Sequence, residues 1–189
     1  MQPDDTAAIL SFYRGHGTDH RSRALSQIVQ ISDRWLEETH DYIQWLFPLY
    51  VRSQFNPHAP LLNDEVRSAF TDPASRDRAA LQRNFGAAIY RMLVFYGYSV
   101  SPVAPDDVSP TGEWRAKADN WLTGGNHNFL RITRMLRSMM LLGREPLARS
   151  FHACLIAVAR AHPTIISQRT VGFWNEAVES RELAESRLR

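Results

Sequence analysis

A chain of 189 residues, 44% hydrophobic and 11% aromatic, is long enough for one well-packed domain, short for two, and too apolar for disorder. The net charge of +2 neither demands nor excludes an anionic partner, and it gives no strong nucleic-acid signal. Cys154 is the single cysteine, so no intramolecular disulfide forms, zinc-type cysteine spacing is excluded, and a reducing compartment fits. The start, MQPDDTAAIL, is acidic where a secretory leader would be basic. No stretch approaches about 18 uninterrupted apolar residues, so a soluble, cytoplasmic protein with no transmembrane segment is expected. Lys117 is the single lysine, and the arginine excess slightly favours contacts with carboxylates and phosphates.

In chain order, a short N-terminal segment precedes SFYRGHGTDHRSR, which reads as a polar, Gly-bearing loop. ALSQIVQI is a short helix. Ser32 caps the next helix, expected over residues 33–47, with Asp33 and Glu37 near its positive end and Pro48 as its stop. RSQFNPHAPLL carries two prolines and reads as an extended connector. Asn63 caps DEVRSAF. Asp72-Pro73 then starts a helix of about six turns that ends at Gly97 and whose apolar residues cover more than half its circumference. SVSPVAPDDVSPTGEW, with three prolines, is a long surface loop, and strand-like alternation is nearly absent. Helices are expected in EWRAKADNWL, in GGNHNFLRITRMLRSMMLLG, in PLARSFHACLIAVARAH, and over 164–187 with a fraying charged end. The fold class is therefore all-α, a single-domain bundle of about seven or eight helices over 1–189. Residues 74–96 and 126–142 are expected at its centre, with helix 33–47 against them.

Two stretches carry candidate chemistry. On a helix at about 100° per residue, HDYIQWLFP places Tyr42, Ile43, Leu46 and Phe47 on one broad face. Asp41 and Gln44 lie opposite, His40 lies at the border, and Trp45 projects toward the polar side, covered by the connector after Pro48 or lining a groove. Adjacent helical residues diverge, so His40 and Asp41 form no dyad within this element. Either His40 is a boundary residue, or His40 and Asp41 belong to a metal-dependent phosphohydrolase site completed from other helices. In the second stretch Asn126 is a candidate N-cap after two glycines. Phe129, Ile132, Met135, Leu136, Met139 and Met140 form the buried face, with His127, Arg131, Arg134 and Ser138 opposite. A helix start beside Arg and His suits an anion. The same arginines equally suit ion pairs with Glu37, Glu38 or Asp41 on a packed neighbour.

HDYIQWLFP, SQFNPHAPLL, YRMLVFYGY and NHNFLRITRMLRSMMLLG, in that order and with SFYRG before them, resemble the conserved region of the opioid growth factor receptor family over about residues 10–160. The resemblance implies opioid growth factor receptor activity, which in the vertebrate receptor is described as binding of a Met-enkephalin pentapeptide and restraint of proliferation. It implies no catalytic residues, and family relatives are described as membrane- and nucleus-associated. The long C-terminal extension of the vertebrate receptors is not expected here. A peptide with aromatic, methionine and carboxylate groups needs an aromatic-lined groove and a cation. Trp45, Tyr42 or Trp121 supply the first, and Arg131 or Arg134 the second. The favoured function is a non-enzymatic binding module for a peptide or small anionic ligand, with His40, Asp41, Gln44, Trp45, Asn126, His127, Arg131 and Arg134 as its ligand residues and no metal or cofactor. The alternatives are a hydrolase using His40, Asp41 and His127, with or without metal, and a scaffold for a protein partner.

Overall fold

The computed structural model describes residues 5–179. Ten helices and one two-stranded ribbon are found among the described residues, so the all-α expectation holds. The helix count exceeds the expected one because Asp5–Arg14 forms a full helix and the stretch 33–47 gives two helices, Asp33–Glu38 and Ile43–Leu46, instead of one. Among the described residues no helix is long and apolar enough to cross a membrane. The chain divides between Met92 and Leu93 into two compact units.

The first unit begins with α1 (Asp5–Arg14), α2 (Leu25–Ile28), α3 (Asp33–Glu38) and α4 (Ile43–Leu46). α1 takes in SFYR, which the sequence reading had left in a loop, and it buries Phe12 and Tyr13 completely. Ser32 caps α3 as expected, its hydroxyl accepting the Trp35 amide at 3.4 Å. The continuous helix expected over 33–47 is broken, because Thr39 is extended (φ −102°, ψ 134°) and ends α3. The break falls on Thr39, His40 and Asp41, all weak helix formers.

α5 (Asp64–Thr71) is capped by Asn63, whose side-chain oxygen accepts the Val66 amide at 2.9 Å. α6 (Arg78–Tyr96) starts later than Asp72-Pro73 suggested. Asp72 spends its carboxylate on the Ala74 amide at 2.8 Å, closing a tight turn before the helix instead of opening it. The rings of Tyr13, Phe47, Phe70 and Phe85 form the core of this unit. Tyr13 and Phe70 meet edge to face at 5.1 Å, and Phe85 lies 6.0 Å from each of the other three.

The second unit holds β1 (Tyr98–Val100), β2 (Val108–Pro110), α7 (Trp114–Ala118), α8 (Asn128–Leu141), α9 (Glu145–Ala161) and α10 (Gln168–Ala177). The Pro-rich stretch read as a loop is thus partly an antiparallel ribbon, with Tyr98 opposite Pro110 and Val100 opposite Val108. The ribbon packs on α9: the Val108 amide donates to Ser150 Oγ at 2.8 Å, and Cys154 Sγ lies 3.3 Å from the Val108 carbonyl. Gly97 stops α6 as expected, at φ +87°. α8 ends in a Schellman turn, Gly143 at φ +80° and the Arg144 amide on the Met139 carbonyl at 2.9 Å. α8 packs between α9 and α10. Two buried indoles each find a carbonyl: Trp121 donates to Tyr96 at 3.1 Å and Trp174 to Phe129 at 3.2 Å. The C-terminal helix expected over 164–187 is shorter among the described residues: it starts after the Ser167 cap and ends at Ala177, and residues 180–187 of that expectation lie outside the described residues.

Candidate functional site

The densest polar cluster of the first unit grows from the loop after α1. The Asp19 side chain is fully buried and accepts the Arg21 amide at 2.8 Å, the Arg23 amide at 3.0 Å and Arg23 Nε at 2.6 Å. A carboxylate holding three donors on its own segment makes the loop rigid. Arg23 then reaches Asp41 Oδ1 at 2.7 Å, and its guanidinium lies over the Trp35 ring at 5.2 Å. Arg21 Nε meets Asp41 Oδ2 at 3.3 Å, and Asn56 Nδ2 donates to the Asp41 carbonyl at 2.7 Å.

His20 sits between two of the residues singled out in the sequence. Its Nδ1 accepts the Trp45 indole N–H at 3.2 Å, and its Nε2 faces Asp41 Oδ2 at 3.3 Å. The indole nitrogen can only donate, so Nδ1 is bare and the ring proton is on Nε2. The imidazole is nearly parallel both to the Trp45 indole, 6.4 Å away between centroids, and to the His58 ring, 5.8 Å away. Burial holds His20 below the ordinary histidine value, and it outweighs the pull of Asp41 and Asp19 in the other direction. Burial alone would raise Asp41, but the hydrogen bond and charge of Arg23, aided by His20 and Arg21, hold it below the ordinary carboxylate value.

Asp41 and Trp45 therefore converge, through an imidazole that the sequence reading had left in a loop. The histidine on Asp41 is His20. His40 lies exposed on the extended link between α3 and α4. Gln44 is buried, its amide nitrogen 3.4 Å from Ser53 Oγ. Trp45 is buried and packs against Phe12 of α1 at 5.3 Å as well as bonding His20. The chain of Asp, His and indole ends on a donor and holds no hydroxyl or thiol to activate. Among the described residues no group of three His, Cys, Asp or Glu is placed to hold a metal ion. Nothing in this geometry supports the hydrolase alternative.

Asn126, His127, Arg131 and Arg134 lie in the second unit. Asn126 Oδ1 accepts the Asn128 amide at 2.8 Å in a turn just before α8, whereas the N-cap expected at Asn126 falls one residue later, on His127, which makes no side-chain capping bond. The polar side opposite the apolar face of α8 is partly covered. Arg131 and Ser138 are buried, and Leu130 is exposed instead. α8 lies between two helices, so its covered surface is wider than one apolar stripe, and polar side chains inside it are met by polar partners. The buried Asn128 Oδ1 accepts Arg131 Nη1 at 3.2 Å and the Tyr96 hydroxyl at 3.4 Å. Burial pushes Arg134 down to about 10, which leaves it positive at neutral pH.

Comparison with known proteins decides the family. The family model described as the opioid growth factor receptor (OGFr) conserved region matches residues 9–183. The chain belongs to this family. The opioid growth factor receptor of Rattus norvegicus is 36% identical over 75% of the chain and 25% of its own length. The Mus musculus receptor is 38% identical over 61% of the chain and 18% of its own length. Opioid growth factor receptor-like protein 1 of Mus musculus is 28% identical over 86% of the chain and 35% of its own length. The match thus spans about a quarter of the rat receptor and about a third of the receptor-like protein. No solved structure matches. The family resemblance read from the four sequence blocks is confirmed.

Proposed function

We propose that the chain is a non-enzymatic binding module for a short peptide bearing an aromatic side chain and a carboxylate, as the name of its receptor relatives suggests. One observation carries this reading. A cation and an aromatic ring are both presented to solvent at the edge of one fixed cluster. The Arg21 side chain is 68% exposed beside Asp41, and Phe55 is 76% exposed one residue from Asn56, which is bonded to the Asp41 backbone. A guanidinium offers a forked contact to a carboxylate, and an exposed ring offers a stacking surface. In this reading Asp41, Gln44 and Trp45 frame the site and do not themselves touch the ligand.

Calorimetric titration of the full chain with Met-enkephalin and with a scrambled peptide of the same composition tests it. The expected result is saturable heat for the first only, weakened roughly tenfold by Arg21→Ala and by Phe55→Ala, about 1.4 kcal/mol each. Equal heats, or none, remove the proposal.

A further inference from the structure

We propose that His20 is a proton-operated latch: neutral, it ties its loop to Trp45, and a proton taken up at Nδ1 breaks that tie and frees His20 locally. This does not rest on the peptide-binding reading, because the latch is built into the resting chain.

The argument starts from hydrogen-bond valence. In the neutral ring Nδ1 accepts the Trp45 N–H at 3.2 Å, while the Nε2 proton points at Asp41 Oδ2 at 3.3 Å. An imidazolium has two donors and no acceptor. Protonation therefore sets N–H against N–H and strips a buried indole of its acceptor, Trp45 being 7% exposed. No turn of the ring restores the bond, since neither nitrogen of an imidazolium can accept.

The groups that face His20 from each neighbouring segment set the direction. Within its own loop are Asp19, Arg21 and Arg23, and from the link between α3 and α4 comes Asp41. From the connector comes His58, whose ring lies nearly parallel at 5.8 Å. Asp41 and Asp19 favour the imidazolium, but both are already engaged by Arg23, and Arg21 adds to the opposing charge. Phe12 contributes no charge and covers Trp45. The loop is held elsewhere by its internal turn on Asp19 and by the bridge from Arg23 to Asp41. Release is therefore a local movement of His20 and its neighbours and leaves the fold intact.

The test is nitrogen-15 NMR of the full chain from about pH 8 to about pH 5, across the range where histidine titrates. The Trp45 indole resonance is assigned by its loss in Trp45→Phe. It is expected to shift and broaden together with the His20 ring titration, at a midpoint below 6.5. In His20→Asn the amide oxygen stands where Nδ1 stood and keeps accepting, so the Trp45 signal becomes independent of pH. In Trp45→Phe, which removes only the competing donor, the His20 midpoint rises toward 6.5. A Trp45 resonance that stays flat to the lowest pH overturns the latch, whether or not His20 has titrated. An unchanged His20 midpoint in Trp45→Phe overturns it too, and that arm stands even if His20→Asn fails to fold.

Discussion

Arg23 serves two carboxylates at once, Asp19 at 2.6 Å and Asp41 at 2.7 Å, with its own side chain 17% exposed. Arg23→Ala leaves the buried Asp19 with its two backbone amides but without the opposing charge. Breaking such a pair on one side costs about 3 kcal/mol. Urea denaturation is expected to show that loss, whereas Arg34→Ala, which removes an exposed pair with Glu38, is expected to leave the unfolding midpoint unchanged. Asp41 was legible in the sequence as a residue of interest because of its place beside a hydrophobic run. Its partners were not. Arg23 lies 18 positions upstream, and helical periodicity relates only residues within a few turns of each other. His20 and Arg21 stood in a segment read as polar loop, and the one local hint was Asp19 followed by a basic residue four positions on.

At the scale of the elements, caps and stops were the most readable signals. Ser32, Asn63 and Gly97 each act where the sequence put them, because a cap depends on atoms within three or four residues. Gly97 does more than stop α6. It holds φ +87°, and a Cβ there would stand 2.9 Å from the Trp114 Cα, which begins α7. Gly97→Ala combines a left-handed backbone with a backbone clash and is expected to cost about 2 kcal/mol or more. That loss lowers the thermal midpoint by roughly 4–8 °C for a chain of this size. Gly112→Ala meets nothing within 4 Å and serves as the control that leaves the midpoint in place. The break between α3 and α4 was not readable, because neither glycine nor proline marks it. Thr39, His40 and Asp41 carry low helix propensity, a weaker signal than the apolar pattern on either side of them.

For the whole molecule, acid acts in two separate windows. His20 binds its proton less readily folded than unfolded, so its contribution is full above 6.5, declines as pH falls below that value, and levels off once the folded ring is protonated too. Asp41 is shifted down from 3.8, so its contribution is full above that value and is lost as pH falls through the folded value. Unfolding free energy measured from about pH 8 to about pH 3 is expected to fall, pause and fall again. A curve that stays level down to about pH 5 contradicts the first step. The fold class was visible from periodicity alone, since amphipathic runs such as 128–141 and 145–161 are long enough to average out exceptions. The ribbon was hidden because its three-residue strands lie within a stretch dominated by proline.

The ribbon has a last consequence, for sulfur chemistry. Cys154 is the sole thiol, half-buried, and it rests against the Val108 carbonyl that β2 lays over α9. Burial and the nearby Asp107 push its thiol above the ordinary value, so little thiolate exists at neutral pH. A thiol-specific alkylating reagent has this one target, and lifting of the 98–110 hairpin from α9 exposes it further. The rate of that single covalent event therefore rises with the hairpin's opening.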